Sequence, residues 1–237
     1  MSRMGSSALK SLVTQAYQVF RTQSKNLTPP NNQFPPQDTN SISPEIKSLT
    51  DMMHSISADT VCLHRLYTSK VAQRKLITFI EVVYNPVLTV VIIVIPSGLR
   101  LPIHDHPNMT GLIKVLHGQV RVSSYTKVGP TGEDGRQAAL KTQDAVLSRL
   151  SYPQVLTPGL NNVHAVEFES GEGGKEYAAF LDVLSPPYDE KVGCHYYQCE
   201  EGQAKGQAGD AGEPCTLVEV DCPQEYQTHS LPFRQFQ

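Results

Sequence analysis

No stretch of this 237-residue chain is apolar for long enough to cross a bilayer. The longest such run, VLTVVIIVI at 87–95, falls well short of the roughly 20 residues a helical span needs. Asn85 and Pro86 precede it, and its valines and isoleucines suit a strand buried on both faces. Basic charge is not in excess: 20 Lys and Arg face 23 Asp and Glu, for a net charge of −3 and a pI of about 6.2. That balance argues against a nucleic-acid partner, whose binders carry a basic footprint. The five cysteines, Cys62, Cys194, Cys199, Cys215 and Cys222, lack paired CxxC spacing. A zinc cluster built from the last four is therefore disfavoured. Without a secretory signal they read as reduced thiols in a cytosolic-type compartment. A soluble protein is expected, with no membrane partner.

Acidic residues are missing from residues 1–37, where Arg3, Lys10, Arg21 and Lys25 supply the charge. Leu9, Leu12, Val13, Ala16, Val19 and Phe20 make one helical stripe there. A mitochondrial transit peptide has this composition. A terminal helix packed on the domain has it too and is the preferred reading. The expected location is the cytoplasm, with the nucleus and the mitochondrion as alternatives.

The chain divides into an N-terminal helix (1–22), a linker rich in Pro and Asn (23–43) and one large domain (44–237). Length alone is compatible with a single core. Ser43 and Pro44 are placed to cap and start a second helix, with Ile46, Leu49, Met53 and Ile56 on its apolar face. From about residue 60, short β-rich segments alternate with turn signals such as YNP, PSG, VGPTGEDG and SPPYD. Strands are expected near 61–67, 76–84, 87–95, 111–116, 119–126, 144–148, 153–157, 163–168, 177–184 and 194–198. This pattern predicts an all-β antiparallel barrel or sandwich. Residues 199–214 read as a loop and the last 20 or so as an irregular wrap.

The chemistry centres on IHDHPNMTGLIKVLHGQV, residues 103–120. His104 and His106 stand two apart, so on a strand both imidazoles leave the same face and can share one ion. Gly98, His104, His106, Gly111 and Gly118 are spaced as in the first motif of the cupin family of double-stranded β-helix barrels, which they resemble. Gly111 stands where that motif carries a glutamate ligand, so the site is expected to rely on neutral imidazoles. A third ligand is sought 40–60 residues on, where His164 in LTPGLNNVHAVEF qualifies. His54, His64, His117, His195 and His229 read as structural.

Four segments extend the resemblance: SGLRLPIHDHPNMTGLIKVLHGQVRV, LTPGLNNVHAVE, AAFLDVLSPPYD and CHYY. Together they resemble the cysteamine dioxygenase and plant cysteine oxidase family of thiol dioxygenases, over about residues 60–200. CHYY after PPYD resembles its animal branch. The resemblance implies a mononuclear non-haem Fe(II) on His104, His106 and His164. It implies oxidation of cysteamine, or of proteins with an exposed N-terminal cysteine, to the sulfinic acid with O2. Oxidising such an N-terminus feeds N-degron degradation, so an oxygen-sensing role follows.

Asp182 lies in an apolar strand, where an acid is costly unless paired. The resemblance puts it beside the iron, steering the substrate amine or orienting a ligand. Tyr188 follows two prolines that hold the chain extended and could aim its hydroxyl at the site. Cys194 and Tyr196 can share a strand face, and in related enzymes such a pair forms a thioether. Gly111 is expected to leave open space at the metal. Arg100, upstream on a turn, is not expected to serve a substrate carboxylate, which favours an amine-bearing thiol. The metal is expected at an open barrel mouth rimmed by HPNM, SPPYD, Asp189, Glu190 and Lys191, and the protein is expected to be a monomer. Two rival readings are a cupin enzyme using Zn, Mn or Ni and a non-catalytic binding barrel.

Overall fold

The computed structural model describes residues 3–26, 42–170, 176–189, 192–201 and 212–233. Much of the linker, residues 27–41, and the bulk of the expected 199–214 loop, residues 202–211, lie outside them, as do Glu190 and Lys191. Among the described residues, four helices come first: α1 (Arg3–Asn26), α2 (Pro44–His54), α3 (Leu63–Leu66) and α4 (Ser69–Ala72). Twelve strands follow among them. They are β1 (Ile77–Tyr84), β2 (Thr89–Pro96), β3 (Arg100–Asp105), β4 (Thr110–His117), β5 (Gln119–Lys127) and β6 (Arg136–Ser148), then β7 (Gln154–Leu156), β8 (Val163–Glu169), β9 (Tyr177–Ser185), β10 (Tyr196–Glu201), β11 (Glu213–Val220) and β12 (Thr228–Pro232).

The start of α2 obeys its local chemistry. Ser43 Oγ accepts a hydrogen bond from the Ile46 amide, and Pro44 occupies the first turn, where its missing N–H costs nothing. The Cys62–Tyr67 segment departs from the expected strand and forms α3. Its apolar residues Val61, Leu63 and Leu66 are all buried, and a short apolar run of this kind does not by itself separate helix from strand.

One sheet runs β12-β1-β2-β9-β4-β7. The other set, β10-β11-β6-β5-β8-β3, curls into a closed barrel. All pairings are antiparallel except β1 with β12. Alternation of side chains then creates three apolar layers. Ile80, Val90, Ile92, Val94, Leu112, Leu181 and Val183 on the outer face of the first sheet meet α1 and α2 through Leu12, Ala16, Phe20, Leu49 and Met53. Ile93, Ile95, Ile113, Val115 and Phe180 on its inner face meet Leu101, Val120, Val122 and Val166 of the second sheet. Behind that second sheet, the β10–β11 hairpin closes a small barrel over Tyr125, Val163, Tyr197, Cys215 and Leu217.

Four strands differ from the sequence expectation. No strand is expected over β3, although it carries the first histidine, and β6 begins at Arg136, well before the expected 144. β11 and β12 occupy the segment expected to be loop and wrap. EPCTLVEV has the alternating burial of a half-buried strand, but its proline and paired glutamates weaken the signal. β12 is exposed along much of its length and joins only the edge strand β1. The acid-free stripe of the first helix is buried against α2 and the first sheet, with Leu12 and Ala16 fully covered.

Leu12→Ala tests that packing. Loss of a fully buried leucine from the shared layer should cost about 2–5 kcal/mol in urea unfolding. An unchanged midpoint would show that α1 contributes nothing to the core.

Candidate metal centre

β3, β8 and β5 lie side by side in register, so that His104 faces His164 and His164 faces Ser124. These residues share the inner face with Val166 and Val122. β3 delivers His104, and the turn after it delivers His106. That turn contains Asn108 at φ +57°, a left-handed conformation asparagine tolerates. The three ring centroids lie 4.7–4.8 Å apart. Among the described residues, this is the one group of three or more His, Cys, Asp or Glu side chains close enough to hold an ion.

His106 and His164 are buried, and burial is the main cause that holds both well below the usual histidine pKa. His104 is also lowered by burial, partly offset by the Pro102 carbonyl. The triad is thus a set of neutral imidazoles at neutral pH. Outer partners fix two of the tautomers. His104 Nδ1 donates to the Pro102 carbonyl at 2.8 Å, which leaves Nε2 as the ligand atom. The Tyr188 hydroxyl donates to the Asp105 carbonyl, so its oxygen is free to accept from His106 Nδ1 at 2.8 Å. His106 Nε2 then faces His164 Nε2 at 3.1 Å. Two nitrogens binding one ion at about 2.1 Å and at right angles lie about 3.0 Å apart, so this spacing suits a metal.

Asp182 belongs to the same layer. It alternates with Phe180 on β9, pairs with Ile113 of β4 and is 5% exposed. Its Oδ1 has no hydrogen-bond partner, and the nearby Val183 amide offsets only part of the effect of burial. Burial pushes its pKa up to about 7. Tyr188 sits close enough to feel that charge, and its phenol pKa is raised mainly by burial. The Cys194 thiol lies near the hydroxyls of Tyr188 and Tyr196, and burial pushes it up to about 11. Of the four positions singled out beside the histidines, Asp182 and Cys194 each lie near Tyr188, and Tyr196 lies near Cys194.

The space at Gly111 differs from expectation. A Cβ there would lie 2.8 Å from Leu156 Cγ and 2.9 Å from Leu184 Cδ2. The slot is filled by leucines and is not open. Arg100 does point away from the centre, since its guanidinium pairs with Glu167 at 3.3 Å on the surface. His64 lies in α3 and not on a strand. His229 lies in β12 beside Arg74, and His54 stacks near Tyr152. His195, read as structural, is an Asp105 partner. Cys222, read only as a disfavoured zinc ligand, and Tyr226 were not expected at the site. Cys222 lies near Tyr196, and the Tyr226 ring lies 5.9 Å from the Tyr196 ring. No sequence spacing links them to the motifs; chain reversal after β11 brings them there. None of the five cysteines is in a disulfide.

The sequence pattern of the PCO_ADO family matches residues 32–235. The chain belongs to the PCO_ADO family. It is 31% identical over 183 residues to 2-aminoethanethiol dioxygenase of Mus musculus, covering 66% of this chain and 69% of that protein. The Homo sapiens protein of the same name is 29% identical over 184 residues, 66% of each chain. Plant cysteine oxidase 2 of Arabidopsis thaliana is 27% identical over 127 residues, covering 52% of this chain and 44% of that one. This PCO_ADO chain is a dioxygenase with a three-histidine metal site on a cupin barrel.

Two outcomes test this centre. Asp182 has a raised pKa, so folding favours its neutral form, and stability falls as pH rises from about 4 through about 7. Metal-free Asp182→Asn should therefore melt higher than wild type at pH 8, by on the order of 5 °C. The gap should close near pH 4; an equal gap at both pH values would show that the carboxylate is not the cause. Gly111→Ala should cost about 1–3 kcal/mol by overpacking. Adding Leu156→Ala should recover part of it, and a cycle with no coupling would place the leucine elsewhere.

Proposed function

We propose that this chain oxidises the thiol of an amine-bearing substrate, cysteamine or the N-terminal cysteine of a protein, to a sulfinic acid. The balanced reaction is RSH + O2 → RSO2H, which climbs only the first part of the sulfur oxidation ladder. Fe(II) on His104, His106 and His164 would supply the redox chemistry and bring thiolate and O2 together on one ion. Three neutral imidazoles leave the full 2+ charge to attract a thiolate.

The observation that carries the substrate class is the unpartnered Asp182 Oδ1 in the same buried layer as the triad. A buried carboxylate with a free oxygen is suited to an ammonium group, which would lower its pKa and take up the unused acceptor. Tyr188 would hold His106 through Nδ1 and bring its ring to one wall. Cys194 and Tyr196 are near neighbours, which supports a thioether between them. Arg100 is engaged at the surface, so it is not available for a substrate carboxylate. The names of the relatives support the same class, since they cover an aminothiol and cysteine oxidases. Oxidation of a protein N-terminus would make its degradation depend on oxygen and the chain an oxygen sensor.

A peptide beginning with cysteine, incubated with iron-loaded protein and 18O2, should gain two labelled oxygens by mass spectrometry. The N-acetylated peptide should react at least about tenfold more slowly, since the acetyl group removes the charge Asp182 would read. Equal rates for the two would defeat the amine reading and leave the thiol oxidation intact. Absence of labelled sulfinate from both peptides and from cysteamine would defeat the proposed reaction.

A further inference from the structure

Strand alternation sends His104 and His106 to one face and Asp105, between them, to the other. Asp105 pairs with Val163, whose side chain lies in the small barrel behind the metal sheet. There its carboxylate, 3% exposed, collects donors from two other elements. Lys127 Nζ at the end of β5 lies 2.9 Å away. The Tyr197 hydroxyl of β10 donates at 2.8 Å, and the His195 amide and Nδ1 donate at 3.0 and 3.1 Å. Lys127 Nζ also donates to the Tyr197 oxygen at 2.8 Å, so that hydroxyl accepts from the lysine and passes its own proton toward Asp105.

Four donors and no acceptor surround this side chain. An ionised carboxylate can accept from all of them, whereas an amide would set its NH2 against a donor. Little else joins β10 to β3: one residue pair, Tyr196 with His104, and the Asp105 amide bonded to the His195 carbonyl. The segment held this way also carries Cys194 and Tyr196.

We infer that Asp105 is a positioning residue that acts on the metal centre from behind, fastening β10 to β3 so that His104 and His106 converge and Cys194 and Tyr196 stand beside them. The inference rests on the metal-site reading above. Lys127 is its second half, because it neutralises the carboxylate and orients Tyr197.

The test compares full-length wild type with Asp105→Asn, Lys127→Met and the conservative Lys127→Arg. Each is loaded with Co(II) well below its melting temperature and checked for native circular dichroism. Asp105→Asn should weaken Co(II) binding about 10–100-fold in a chelator competition and alter the visible Co(II) spectrum. Lys127→Met should move both readouts the same way by a smaller factor, and Lys127→Arg should restore them toward wild type. With iron, kcat should fall more than KM rises. A merely structural Asp105 would lower the melting temperature and leave Co(II) affinity and spectrum at wild-type values, which would overturn the inference. If Asp105→Asn does not fold, wild-type Co(II) affinity and spectrum in Lys127→Met would overturn it. Wild type that binds no Co(II) would instead defeat the metal-site reading itself.

Discussion

Three imidazoles can hold one ion only when none carries a second proton and all three present a lone pair to the same point. In this chain both conditions come from the inner layer between the sheets. Burial keeps His106 and His164 neutral, and the adjacency of β3 and β8 sets His104 opposite His164. The Pro102 carbonyl and the Tyr188 hydroxyl select the tautomers of the other two rings. The remaining architecture backs this layer. Helices seal the far side of one sheet, and the β10–β11 hairpin seals the far side of the other.

The centre also shows how one layer can be apolar and reactive together. Ile113, Val122 and Phe180 exclude water from most of it. Asp182 is the exception, a carboxyl left with an unused acceptor at a depth where that is costly. Natural structures keep such groups where a ligand completes them. The leucines around Gly111 work in the other direction. They fill the volume a side chain at this position would need.

On the reverse face, the same tripeptide that supplies two ligands supplies the anchor for the hairpin. A single strand segment therefore joins the histidine triad, Tyr188, Tyr196 and the small barrel. Asn162 adds to this by bonding the His106 backbone on both sides, accepting from its amide and donating to its carbonyl.

Much of the centre was legible in the sequence because its signals are local. The i, i+2 histidines, the glycine spacing and the Pro-Pro-Tyr turn depend on residues near one another in the chain. The Ser43–Pro44 helix start and most strands of the sheets are equally local, since alternation and turn residues encode them. Which side chains back the ligands was not legible. Asp105 meets Lys127, His195 and Tyr197 through strand pairings 22 to 92 residues apart, and Cys222 and Tyr226 reach Tyr196 only after β11 reverses. Gly111 marks the limit most clearly. The sequence determined that no ligand side chain stands there, but only packing decided whether the place is empty, because a missing side chain says nothing about the neighbours that fill its volume.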